Sequence, residues 1–185
     1  MHPWKTVSRK PILQHSKYLA VENHTIELPG GRILQNWSWL AMPDYAIVVP
    51  RTDDGSFLCF RQTKYAVDGT TLAPIGGYLE PGEDPLAAAK RELHEEMGYE
   101  SNDWQSLGHF VSDGNHGAGT AHLYFARACL QVALPHSDDL EEQELLHLSR
   151  GELERSLMGG EFKVLAWTAA IALALRAAEE GVRTR

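Results

Sequence analysis

The feature that most constrains this chain is a run of fixed spacing, Gly77-x5-Glu83-x7-Arg91-Glu92-Leu93-His94-Glu95-Glu96-Met97-Gly98-Tyr99. Asp84 suits an N-cap, Pro85 the first helical position and Gly98 a helix end, so the pattern predicts a helix over 85–97. At about 100° per residue, Leu86, Leu93 and Met97 fall within roughly 40° of one another and form an apolar anchoring stripe. Glu92, Glu95 and Glu96 then lie on the opposite side, within roughly a 100° arc. Three carboxylates so close repel one another and call for a positive neighbour. Hard divalent cations such as Mg²⁺ or Mn²⁺ serve best, because they prefer oxygen ligands. For an isolated Glu-Glu pair a solvated acidic face is the commoner explanation, but the flanks count against it here. Gly76 and Gly77 allow close backbone approach, and a glycine carbonyl is a further oxygen ligand. Arg91 is placed to pair with a carboxylate such as Glu83 and so orient the cluster.

The 185 residues suit one domain with a small appendage. A formal charge of −8 argues against nucleic acid and against anionic membrane surfaces as partners. Cys59 and Cys129 each lie in an apolar segment, which reads as two buried, reduced thiols. The N-terminus has no apolar signal segment, and the longest apolar stretch, residues 164–175, is about half a membrane span. The expectation is a cytoplasmic protein.

Along the chain, residues 18–28 and 32–40 are extended in pattern and flank Pro29-Gly30-Gly31, the signature of a hairpin. Residues 45–49 form a short buried strand, and Asp53-Asp54-Gly55 turns into another at 56–62. Two more strands are expected at 104–111 and 121–130. Further helices are expected at about 150–158, stopped by Gly159-Gly160, and at about 164–180, where Ala and Leu dominate. The irregular mixture of strands and helices indicates α+β with a mixed sheet.

The Gly77–Tyr99 segment resembles the Nudix box at every fixed position, with Tyr99 in a slot that is usually aliphatic. The resemblance covers 23 residues. It implies an α/β/α sandwich with a central mixed sheet, here preceded by an N-terminal antiparallel β-hairpin region. It further implies that Glu92, Glu95, Glu96 and the Gly76 carbonyl bind Mg²⁺ or Mn²⁺, with Arg91 and Glu83 as the orienting pair. The chemistry is then metal-assisted hydrolysis of a phosphoanhydride, with a carboxylate accepting the proton of the attacking water.

Outside the box the layout is similar to the ADP-ribose and nucleoside-diphosphate-sugar pyrophosphatase branch. Residues 1–42 would be an N-terminal β region that mediates homodimerisation, with swapped strands as one arrangement, and 43–185 the hydrolase domain. Phe60-Arg61-Gln62-Thr63-Lys64-Tyr65 resembles a segment whose cations contact phosphate or the terminal sugar, which puts Arg61 and Lys64 forward. The acidic stretch 138–144 suggests a catalytic base. Glu142 is preferred, with Glu141, Glu144 and box residue Glu95 as rivals. Gly160-Glu161-Phe162 before an Ala-rich helix is a further likeness. Two features depart from the branch. Leu72-Ala73-Pro74-Ile75-Gly76 lacks the glutamate usual in that stretch, and no proline follows the box at about 15 residues. The glycine-rich stretch 111–119 reads either as a loop that wraps a ligand or as a long hairpin turn. Trp37 and Trp39 alternate on one strand, so Trp37 is a candidate base-stacking residue, and His116 a candidate ligand contact; packing is the plainer role for both. The leading function is hydrolysis of nucleoside diphosphate sugars, ADP-ribose included, to a nucleoside monophosphate and a sugar phosphate. The alternatives are a Nudix hydrolase of nucleoside triphosphates or dinucleoside polyphosphates, and a non-catalytic domain that senses a nucleotide sugar.

Overall fold

The structure, a computed structural model, describes residues 1–135 and 142–183, with side chains in the last helix described as far as residue 179. Glu141 and the start of the acidic stretch lie outside the described residues. The chain divides into two compact units, Met1–Asp44 with Phe110–Ala121, and Tyr45–His109 with His122–Arg185.

In the first unit, β1 (Lys5–Ser16), β2 (Leu19–Glu27) and β3 (Ile33–Ala41) form an antiparallel meander. The Pro29-Gly30-Gly31 turn is present as expected. The Gly31 N–H donates to the Leu28 carbonyl, and Gly31 takes a left-handed φ of 79°. The region is three-stranded rather than a two-stranded hairpin, because β1 pairs along β2. Its charged and polar residues show no clean alternation, and nearly every side chain on it is exposed, so no buried face marked it. A bulge places Asn36 at φ 58° opposite a register shift between His24 and Ile26.

The second unit holds β4 (Tyr45–Thr52), β5 (Phe57–Thr63), β6 (Thr70–Ala73), β7 (Ile75–Tyr78), α1 (Pro85–Glu92) and β8 (Tyr99–Glu100). It continues through β11 (Gln143–Leu148), α2 (Arg150–Met158) and α3 (Leu165–Arg183), while β9 (Asp103–Asp113) and β10 (Gly117–Gln131) contribute residues to both units. Strand β4 pairs antiparallel with β5 and β7, and β5 pairs antiparallel with β6 and β11.

The continuous burial of residues 46–50 on β4 explains the layering. Ala46 and Val48 join a core cluster with Ala88, Ala89, Leu93 and Met97 from the box helix. Ile47 and Val49 are equally buried and, by strand alternation, point to the opposite face. Helix α3 also packs on β4 and buries Ala170, Ile171 and Ala174. A strand buried on both faces belongs between helical layers. The mixed α+β sandwich is as the sequence indicated.

Candidate active site

The box helix differs from a plain α-helix. Asp84 caps it, its Oδ1 accepting from the N–H groups of Leu86 and Ala87 at 3.0 Å each. The α-helix runs only to Glu92, and Leu93–Met97 forms a π-helical turn that ends on Gly98 at φ 72°. Such turns, with one extra residue in the ring, concentrate at functional sites. The uniform 100° spacing therefore does not hold at Glu95 and Glu96. Glu92 is also not on a solvated face, since it is only 8% exposed.

Arg91 gathers the carboxylates. Its Nε donates to Glu83 Oε1 at 3.0 Å and its Nη2 to Glu83 Oε2 at 3.1 Å, a fork-to-fork pair. Its Nη1 donates to Glu92 Oε1 at 2.8 Å and to Glu95 Oε2 at 3.2 Å. Glu83 also accepts the Glu80 N–H at 2.8 Å. The Arg91 hydrogen bond, followed by that N–H, holds the Glu83 carboxyl below its ordinary range. The same bond to Glu83 pushes the Arg91 guanidinium up, so it stays charged. The two glycines before the box have separate reasons. A Cβ on Gly77 would overlap the Glu92 carboxylate, and one on Gly76 would overlap the Ala46 backbone carbonyl.

Among the described residues, no group of three or more His, Cys, Asp or Glu side chains is spaced to cage a metal ion as it stands. Instead, the guanidinium occupies the space between Glu83, Glu92 and Glu95. It contacts one oxygen each of Glu92 and Glu95, a donor set of the chemistry that hard divalent cations take. The residues present fit a cation once these carboxylates turn toward it.

A second group surrounds Arg61 on β5. Strand β11 sets Glu144 directly opposite Arg61 and Gln143 opposite Gln62. Arg61 Nη1 lies 3.8 Å from Glu144 Oε2, and both side chains are largely exposed. Arg61, Gln62, Thr63, Thr70, Glu142 and Glu144 line a cleft of about 300 Å³. Arg61 and Thr70 also border a second cleft of about 240 Å³ with Thr71, Glu161 and Lys163. Arg61 and Glu142 are thus brought together, whereas Lys64 lies just beyond the end of β5 and lines neither cleft. Lys163 and the threonines were missed. The end of the acidic stretch, Gln143 and Glu144, opens strand β11, whose signal lies in Leu145, Leu146 and Leu148.

In the first unit, Trp37 and His116 meet. Their rings stack at 6.2 Å and 12°, Trp37 Nε1 donates to the Asn115 carbonyl at 2.7 Å, and Trp4 stands edge-on to Trp37 at 5.5 Å. His116 is held by Asp113, whose carboxyl is lowered first by the Asn115 N–H and then by the His116 N–H. Of the two readings of residues 111–119, the hairpin turn is the one found. Gly117 and Gly119 both have positive φ, and Cβ atoms there would overlap the Trp39 ring and the Pro43 carbonyl. Cys59 and Cys129 are free and buried, their thiols pushed up by burial to about 12 and about 11. No helix among the described residues is long and apolar enough to cross a membrane.

The arginine clasps glutamates that belong to one Gly-x5-Glu-x7-Arg-Glu segment. A NUDIX domain model matches residues 42–168, more than half of the chain, and the chain belongs to the Nudix family. It is 27% identical over 153 residues to an ADP-ribose pyrophosphatase of Bacillus subtilis (strain 168), covering 83% of this chain and 80% of that protein. It is 26% identical over 153 residues to a methanol dehydrogenase activator of Bacillus methanolicus, with the same coverage of 83% and 80%. A CMP-5'-(N-acetyl-N-hydroxy-3-aminopropyl)phosphonate hydrolase of Streptomyces rubellomurinus (strain ATCC 31215) is 26% identical over 149 residues, 80% of this chain and 71% of that one. The fold is shared with a crystal structure described as an ADP compounds hydrolase, at TM-score 0.81 and 19% identity over 100% of this chain and 98% of that one.

Proposed function

We propose that this Nudix protein hydrolyses the diphosphate bond of nucleoside diphosphate sugars, ADP-ribose among them, to a nucleoside monophosphate and a sugar phosphate. The observation that carries the reading is the clasp of Glu83, Glu92 and Glu95 on Arg91, with Glu92 seated against Gly77. Similarity to an ADP-ribose pyrophosphatase supports the choice of substrate.

Glu92, Glu95, Glu96 and the Gly76 carbonyl would hold Mg²⁺ or Mn²⁺, which when bound neutralises diphosphate charge and acidifies water. Arg91 keeps the carboxylates converged, and Glu83 keeps Arg91 in place. Glu142, at the cleft that Arg61 borders, is the preferred base for the attacking water, with Glu141, Glu144 and Glu95 as its rivals. Water's oxygen bonds to one phosphorus, the bridging P–O bond breaks, and the proton passes to the carboxylate. Arg61 pairs with the phosphate chain or sugar, with Lys64 as an auxiliary cation. The N-terminal region 1–42 joins two copies as a homodimer.

A substrate panel tests the reading. With Mg²⁺, ADP-ribose and UDP- or GDP-sugars should release nucleoside monophosphate, while ATP and diadenosine polyphosphates turn over far more slowly. Release of phosphate or pyrophosphate from ATP, with ADP-ribose left intact, would overturn it. Binding of ADP-ribose without turnover would instead make the protein a sensor.

A further inference from the structure

We infer that Glu144 decides what the Arg61 cleft admits: it favours an uncharged, hydroxyl-bearing sugar and turns away an additional phosphate. The inference rests on the proposed substrate class and names the residue that enforces it.

The register comes first. Arg61 and Glu144 are directly opposite on antiparallel β5 and β11, as are Gln62 and Gln143. Directly opposite side chains share a face, and the next pair along takes the other face. Gln143 Nε2 donates to the buried Gln62 Oε1 at 3.0 Å, which pins this register from the opposite face. Glu144 is therefore held on the side where Arg61 works.

Charge is distributed unevenly around Arg61. The cleft with Glu142 and Glu144 sets one cation against two carboxylates. The neighbouring cleft sets two cations, Arg61 and Lys163, against one carboxylate, Glu161, whose Oε1 accepts from Ser156 Oγ at 2.9 Å. Arg61 and Thr70 belong to both. A diphosphate that reaches Arg61 is attracted from the Lys163 side. A group extending past Arg61 toward β11 meets two negative charges together with Thr63 and Thr70. Those hydroxyls suit sugar hydroxyls. A further phosphate there would face like charge, the repulsive element from which selectivity is commonly built.

The pair is loose as well. At 3.8 Å and with side chains 47% and 65% exposed, Arg61 and Glu144 give up little when a ligand anion replaces the contact. Glu144 thus acts through the charge it presents rather than by locking the arginine.

The test compares wild type, Glu144→Gln and Glu144→Asp with ADP-ribose and ATP as ligands. Dissociation constants are measured by calorimetry in EDTA, and KM and kcat are measured separately with Mg²⁺. Removing the charge should improve ATP binding relative to ADP-ribose by about tenfold, the scale of one unit charge at close range in a partly wet cleft. The gain should appear in KM for ATP, shrink as salt is raised, and be absent in Glu144→Asp. Because the side chain is exposed, thermal melting of the variants should match wild type. An unchanged ATP to ADP-ribose ratio would overturn the inference, as would a wild type that binds both equally. A collapse of kcat on ADP-ribose at constant KM would also overturn it, by making Glu144 the base. A shifted binding ratio in EDTA without any turnover of nucleotide sugars would sustain the selectivity role and sink only the proposed reaction.

Discussion

Two arginines of the second unit each face more than one carboxylate, under very different conditions. Arg91 is 29% exposed and meets Glu83, Glu92 and Glu95 at 2.8–3.2 Å. Arg61 is 47% exposed and stands 3.8 Å from Glu144. Partly buried, multiply bonded charge is costly to disturb, whereas an exposed pair contributes about 0–1 kcal/mol. The difference teaches how the labour is divided. The Arg91 group is a tightly bonded set that holds its carboxylates together. The Arg61 group is loose, and its contact is readily exchanged.

The largest expected contrast lies between the two arginines. Arg91→Ala should lower kcat on ADP-ribose by roughly 10–100-fold, the usual cost of losing a partner that orients ligating groups. Arg61→Ala should act mainly on KM. If Arg61→Ala lowered kcat at constant KM, or Arg91→Ala moved only KM, the contrast would break.

Gly76 and Gly77 sharpen it. In Gly76→Ala the new methyl meets a backbone carbonyl, which cannot swing aside, so the melting temperature should fall clearly. In Gly77→Ala it meets the end of the Glu92 side chain, which can move. That variant should lose less melting temperature than Gly76→Ala yet lose activity, because Glu92 leaves its seat. Equal melting losses in both would contradict the packing described here.

The smallest effect is in the pH dependence of stability. Glu83 has a folded-state pKa below its ordinary value of 4.5, so its contribution is present above that pH and is lost as pH falls through the folded value. Wild type should exceed Glu83→Gln in melting temperature by about 2–4 °C near neutrality. The gap should narrow below about pH 4.5. Glu144→Gln, in contrast, should melt with wild type throughout.

The same contrast explains what was legible. The box could be read because its residues lie within one loop and one helix, where spacing alone sets neighbours. Even there the π-helical turn at Leu93–Met97 is not legible, since five residues are too few for a change of period to show. The Arg61 clefts depend on long-range pairing. Gln62 and Gln143 are 81 positions apart, and Thr71 and Lys163, joined through the Lys163 N–H and Thr71 Oγ1, are 92 apart. No local periodicity carries such a register. Strands β6 and β7 are four residues each, too short for a pattern to stand out. In the first unit Trp37 and His116 were both candidates, but their stacking required the turn at residues 114–116 to close.

The central claim is that the Arg91-held glutamates form a seat for a divalent cation. Titration with Mn²⁺, followed by the loss of its free electron-paramagnetic signal, tests this directly. Wild type should remove free Mn²⁺ saturably, while Glu92→Gln and Glu96→Gln, still folded by circular dichroism, should remove far less and lose most turnover of ADP-ribose. Mn²⁺ binding in Glu92→Gln equal to wild type, with activity retained, would contradict the account.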